Sequence, residues 1–191
     1  MDTQKKKIVL IVGSLRKNSL NKQLAELARK YLNDQAECTL FTPSLVPLFD
    51  QDLEFPTPKK VGEIRQAIKE SDGIWIFTPE YNAMIPGGLK NLLDWLSRTV
   101  KENDPDWKDT IVWDKKATMS GVGGKNGTRS AQEQLVSLLH FMGMDVMMQD
   151  RAQIAMSPQT AQTIDLALTA GVQEAIEAQA QAFLKFLEEK V

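Results

Sequence analysis

The sequence predicts an α/β protein, a doubly wound, five-stranded parallel sheet with helices on both faces. Three observations lead there. Short runs of β-branched and aromatic residues, such as IVLIV and GIWIF, recur along the 191 residues and read as buried strands. Stretches of helical apolar periodicity separate them, and such alternation is the pattern of a parallel sheet. The unusual residues, glycines, prolines and short polar side chains, collect just after strands, where doubly wound sheets bind ligands.

The elements follow in order. Residues 7–12 form the first strand. Residues 21–32 form an amphipathic helix, with Leu24, Leu27, Ala28 and Tyr31 on one face. Residues 37–41 form the second strand. The loop 42–58 holds Pro43, Pro47, Pro56 and Pro58, but its Leu45, Val46, Leu48 and Phe49 mark it as packed rather than disordered. A helix over 59–70 leads to the third strand, 73–78. The next helix, 86–98, opens with a proline, which a first helical turn tolerates. The fourth strand is 115–120, followed by a helix over 130–142 and a fifth strand over 144–148. Residues 160–189 form one long helix or two. A polar loop directly after the first strand fits the flavodoxin-like order 2-1-3-4-5, in which ligands lie beyond strands one and three.

Length suits one domain spanning residues 1–191. Composition is that of a soluble globular protein, 42% hydrophobic and 25% charged. A net charge of −2 gives no general attraction for nucleic acid. No apolar run approaches the roughly 18 residues of a membrane helix, and no signal peptide is visible. Lys5, Lys6 and Lys7 read as a solvated tail. Cys38 is the single cysteine, which excludes an intramolecular disulfide. Between Glu37 and Thr39 it reads as a packed thiol. One histidine and one cysteine do not make a usual zinc site. The Asn126-Gly127-Thr128 sequon carries no weight without secretion. These features point to the cytoplasm.

The first loop, 13–21, has the layout of an anion cradle. Gly13 lets the backbone bend, and Ser14, Ser19 and Asn21 offer short polar groups. Arg16 adds a forked positive charge suited to phosphate, and the following helix presents free N–H groups to the same spot. The plainer alternative is a polar loop with a helix cap. No Gly-Lys-Ser/Thr closes it, so it is not a P-loop, and one glycine does not make a dinucleotide fingerprint. A phosphate monoester fits better than a pyrophosphate.

The second loop, 78–87, is stiffened by Pro79 and Pro86 and carries Tyr81 and Asn82. A planar heterocycle would use an aromatic face and edge amides of this kind; a structural turn is the alternative. The third loop, 120–127, contains Ser120, Gly121, Gly123 and Gly124, so its backbone can approach a ligand closely; alone, it reads equally as a flexible turn. All three leave the same end of the sheet.

A flat ring with one phosphate describes FMN, and here the chain resembles the NADPH-dependent FMN reductases, which include flavoprotein quinone, chromate and azo-dye reductases. The resemblance rests on Gly13-Ser14-x-Arg16-x-x-Ser19-x-Asn21-x-x-Leu24 and on Pro79-Glu80-Tyr81-Asn82-x-x-x-Pro86-Gly87-x-Leu89-Lys90-Asn91-x-x-Asp94-Trp95-x-Ser97-Arg98. It implies that Ser14, Arg16, Ser19, Leu20 and Asn21 hold the FMN phosphate. Pro79, Glu80, Tyr81 and Asn82 would lie along the isoalloxazine, and Ser120 with Gly121, Gly123 and Gly124 would close its other side. Lys125 and Asn126 depart from the simplest glycine run. The resemblance also implies NADPH or NADH as reductant, with hydride passed through FMN to a small-molecule acceptor such as a quinone, azo dye, chromate or free flavin. No side chain need act as nucleophile or base, because the flavin carries the chemistry. The helix bearing Lys90, Asn91, Asp94 and Trp95 would be structural or pack subunits into a homodimer or homotetramer. Trp107 and Trp113 flank a segment that would shape access or reach a neighbour. Arg16, Lys17, Lys125 and Arg129 are candidates for a 2′-phosphate.

Two other readings share the fold. A flavodoxin-type electron carrier is disfavoured by Arg16 and by the weak net charge. A flavin-free interaction module is disfavoured by the intact first loop. His140, inside LLHFM, reads as a core or interface residue. Met142, Met144, Met147, Met148 and Met156 read as flexible core. The final segment, 160–191, reads as a surface helix closing the sheet.

Overall fold

The computed structural model describes residues 5–189, so the outermost residues of the expected unit lie outside the description. β1 (Lys6–Val12) sits between β2 (Ala36–Phe41) and β3 (Gly73–Phe77), and β4 (Lys116–Gly123) extends the sheet beyond β3, all parallel. β5 (Asp145–Val146) completes the expected order 2-1-3-4-5. Successive strand residues point to opposite faces, and both faces are covered. Ile8, Leu10, Val12, Trp75 and Phe77 pack against α1 (Leu20–Leu32) and α6 (Val172–Glu188). Val9, Ile11, Ile74 and Ile76 pack against α2 (Lys59–Lys69), α3 (Gly87–Leu96) and α4 (Arg129–Phe141). Burial on both sides is why these strands read as unbroken apolar runs.

β4 outruns its neighbours, and the expected fifth strand over 144–148 is corrected here. Only Asp145 and Val146 pair with the lower part of β4. The chain then leaves the sheet and returns as β6 (Gln153–Ala155), which pairs with Gly121, Val122 and Gly123. Gln179 of α6 fills the gap. Its Nε2 donates to the Met119 carbonyl at 2.9 Å, and its Oε1 accepts from the Ala152 N–H at 2.8 Å. Asn21 does the same on the other edge, above the end of β3. Its amide exchanges hydrogen bonds with the N–H and C=O of Val122, both at 3.0 Å. Two side-chain amides thus stand in for missing strand partners.

The last segment is two helices rather than one. α5 (Pro158–Thr163), capped by the Ser157 hydroxyl, ends where Ile164 turns left-handed at φ 55°. A 3₁₀ turn, Leu166–Leu168, precedes α6. The loop 42–58 is packed as expected. Asn91 and Trp95 both donate to the Pro47 carbonyl at 2.8 Å, and Phe49 meets Trp95 edge-on at 5.1 Å. Trp107 and Trp113 also pair edge-on, at 5.0 Å, with the Lys108 ammonium over both rings. Burial pushes the Cys38 thiol up to about 11, with the nearby Arg29 partly offsetting it.

Smaller readings are corrected. Lys6 and Lys7 belong to β1 rather than to a tail. His140 is exposed on the last turn of α4, not in the core. Met142, Met144 and Met147 are buried, but Met148 is exposed. No helix among the described residues is long and apolar enough to cross a membrane, and none of their side chains form a metal-binding group of three or more.

Candidate functional site

The first two loops leave the sheet on adjoining rungs. The Gly13 N–H donates to the Phe77 carbonyl at 2.8 Å, and the Thr78 N–H donates to the Ser120 carbonyl at 2.9 Å. Residues 13–21 and 78–87 therefore emerge together at the carboxyl ends of β1 and β3, and residues 124–128 follow from the end of the longer β4, on the side where a doubly wound sheet binds ligands.

The first loop is folded by its serines. The buried Ser14 hydroxyl accepts from the Arg16 N–H at 3.3 Å, turning the chain back on itself. Ser19 caps α1, its hydroxyl accepting from the Lys22 N–H at 3.3 Å. A cap leaves the N–H groups of Leu20 and Asn21 at the helix start without helical acceptors, and the helix dipole favours negative charge there. Arg16 is exposed and makes no ion pair among the described residues. A guanidinium, two hydroxyl-bearing turns and two helix N–H groups form a donor set matched to a phosphate monoester, so these residues fit FMN's phosphate. The Asn21 side chain is the correction. It is 3% exposed and committed to Val122 on both of its polar ends, so only its backbone can serve a ligand.

In the second loop Pro79 is buried, and Tyr81 and Asn82 are exposed. The carboxylate of Glu80 points the other way. Its Oε2 accepts from the Ala131 N–H at 3.0 Å. It thereby caps α4, whose own N-cap residue, Thr128, supplies no side-chain bond to the backbone. Glu80 is thus an anchor between loop and helix, a role its place in the motif did not reveal.

The third loop corrects more. Ser120 is fully buried; its hydroxyl accepts from Trp75 Nε1 at 2.8 Å and donates to Gln179 Oε1 at 2.7 Å. It faces α6, not the loops. A Cβ on Gly121 would lie 2.0 Å from Thr128 Oγ1 and 2.3 Å from the Thr78 carbonyl. One on Gly123 would lie 2.5 Å from the Gly127 carbonyl. These two glycines make room for the end of β3 and for Gly127 and Thr128; it is Gly127, at φ 63°, whose added Cβ would meet the return strand, 2.8 Å from Gln153. Gly124, Lys125 and Asn126 are the exposed part of the loop. Arg129 follows them at the start of α4, its Nε 3.4 Å from Gln153 Oε1.

A sequence model of the NADPH-dependent FMN reductase family matches residues 6–159, a span that includes all three loops. The chain is 32% identical to the quinone reductase of Escherichia coli, with 97% of each chain covered. It is 34% identical to a 2-hydroxy-1,4-benzoquinone reductase of a Burkholderia species, over 78% of each. Among solved structures it superposes with a TM-score of 0.81 on FerB, a flavoenzyme NAD(P)H:(acceptor) oxidoreductase of Paracoccus denitrificans. That match is 26% identical and covers 96% of this chain and 97% of FerB. Fold, loop placement and sequence agree, and the chain belongs to the NADPH-dependent FMN reductase family.

Proposed function

We propose that this protein uses FMN to carry hydride equivalents from NADPH or NADH to a small acceptor, with quinones the preferred class. One observation carries the reading. The loop from Gly13 to Asn21 carries an exposed Arg16 with no ion pair among the described residues and runs into the Ser19-capped start of α1, next to the loop that bears Tyr81 and Asn82. Bound there, FMN would supply two-electron redox chemistry. The chain's part is placement and electrostatics. Arg16, Ser14, Ser19 and the N–H groups of Leu20 and Asn21 bind the phosphate end. Pro79, Tyr81 and Asn82 line the ring, and Gly124 with its neighbours borders the other side. The N–H groups of Asn82 and Lys125 have no hydrogen-bond acceptor among the described residues, which leaves them open to an electron-rich ligand edge. The names of the relatives, both reductases of quinones, support the acceptor class.

A cytoplasmic homodimer or homotetramer goes with this reading. Leu45 and Leu48, 86% and 83% exposed, offer an apolar surface beside α3. The visible spectrum of the purified protein, before and after FMN and then NADPH without oxygen, tests the proposal. Flavin bands that bleach promptly with NADPH are expected. Bound flavin that NADPH leaves coloured would instead mark an electron carrier.

A further inference from the structure

The second loop contains a backbone conflict that ligand binding does not explain. Tyr81 and Met84 exchange backbone hydrogen bonds, at 3.1 Å and 3.0 Å, closing a hairpin with Asn82 and Ala83 at its tip. Both tip residues have positive φ, 53° and 59°. A type I′ turn requires this and is ordinarily built from Asn followed by Gly. Asparagine tolerates the left-handed region. Alanine does not, because its Cβ crowds the neighbouring carbonyl. A strained residue of this kind persists only where its surroundings hold it.

Gln134, in the middle of α4, does the holding. Its Nε2 donates to the Ala83 carbonyl at 2.8 Å, and its Oε1 accepts from the Ile85 N–H at 3.4 Å. One amide therefore grips the chain on both sides of Met84. Ala131, three residues earlier and so on the same helix face, receives the Glu80 carboxylate at 3.0 Å. The loop is fastened to α4 at its entrance and again across its tip.

We propose that Gln134 is a positioning residue for the flavin loop. It keeps the Asn82–Ala83 turn left-handed and so fixes how Tyr81 and Asn82 stand against the ring. Tyr81 and Met84 are directly opposite in the hairpin, so their side chains leave the same side of it; they are 48% and 55% exposed. Released from Gln134, Ala83 relaxes to a right-handed conformation, and the Tyr81–Met84 pair turns with it. The inference rests on the FMN reading above, but the clamp itself can be read without flavin.

The test uses the full chain carrying Gln134→Ala or Gln134→Glu, each with and without Ala83→Gly. Gln134→Glu keeps an acceptor for the Ile85 N–H but sets a carboxylate against the Ala83 carbonyl. The readouts are FMN affinity by flavin fluorescence, the rate of flavin reduction by NADPH, and amide exchange at Met84 and Ile85 in flavin-free protein. Gln134→Ala is expected to weaken FMN binding about tenfold and to speed exchange by a similar factor, with helix content unchanged. Gln134→Glu is expected to behave alike. Ala83→Gly is expected to restore most of the FMN affinity of either variant, because glycine takes the left-handed form unaided. Unchanged FMN affinity and exchange in Gln134→Ala overturn the proposal. So does a loss that Ala83→Gly does not repair, since that marks a general structural role. If the unsubstituted protein binds no FMN, the functional reading falls, and exchange in the flavin-free chain still decides for or against the clamp.

Discussion

Replacing Gln179 with leucine isolates what holds the split edge of the sheet. The side chain is fully buried, and leucine nearly matches its volume, so the change removes polarity rather than packing. The Met119 carbonyl and the Ala152 N–H lose their partners; the Ser120 hydroxyl loses the acceptor of its own proton but keeps its bond from Trp75, and Thr118 loses one donor. Each buried group left unpaired costs about 1–3 kcal/mol. Leucine returns roughly 1 kcal/mol of apolar burial. The net expectation is a loss of about 3 kcal/mol. For a chain of this size that lowers the thermal midpoint by roughly 6–12 °C. Circular dichroism melts of Gln179→Leu measure it, with Glu177→Leu, an exposed position on the same helix, as the control that stays within about 2 °C. Equal midpoints for the two variants would refute the idea that a side-chain amide completes the β4 ladder.

Further outcomes are expected. Arg16→Ala raises the Kd for FMN by about 10- to 100-fold, as loss of a charge-assisted phosphate contact should, and Arg16→Lys recovers part of it; fluorescence titration with FMN measures both. Gly121→Ala drives a Cβ into Thr128 and the Thr78 carbonyl and destabilises by about 3 kcal/mol. Gly124→Ala, with nothing within 4 Å of the new atom, leaves the denaturant midpoint unchanged. Burial holds the Cys38 thiol near 11, so at pH 8 it reacts with a thiol reagent roughly a hundredfold more slowly than in urea. The sign for stability follows. The folded state keeps a proton that the unfolded state gives up, so Cys38's contribution is intact below the ordinary thiol pKa of 9.0 and falls as pH rises through about 11. A Cys38→Ala chain with the same alkaline stability slope would count against this.

The sheet was legible because its signal is carried by the strand residues themselves. GIWIF announces a strand buried on both faces without reference to any other part of the chain. The fifth strand was legible in place but not in length, and β6 was not legible at all, because the gap between them is bridged by Gln179, which lies in a segment whose composition says only surface helix. The first loop was legible as a turn with a helix cap, since a glycine and hydroxyls ahead of an apolar-periodic stretch read that way, and Ser19 does cap α1. Individual roles were not. Ser120 stood at the apparent end of a strand, but β4 runs on to Gly123 and buries it. Asn21 looked like a ligand donor because it opens a helix, yet its amide answers a backbone need on β4. Gln134 belongs to no motif. Only the strained pair Asn82 and Ala83 gives it a purpose, and backbone strain leaves no mark in a sequence.

The two amides that complete β4 set the order in which this protein can finish folding. Asn21 lies near the start of the chain and Gln179 near its end, and the helices that carry them, α1 and α6, pack in one core. The ladder of β4, the strand that brings out the third loop, is therefore complete only once residue 179 has arrived. During synthesis the first and second loops emerge long before the helix that finishes the third side. Until then the nascent sheet shows apolar surface on the face that α6 later covers, the interval in which a parallel sheet is most prone to aggregate. The mouth of the site is thus completed late in translation, well after the first two loops have been made.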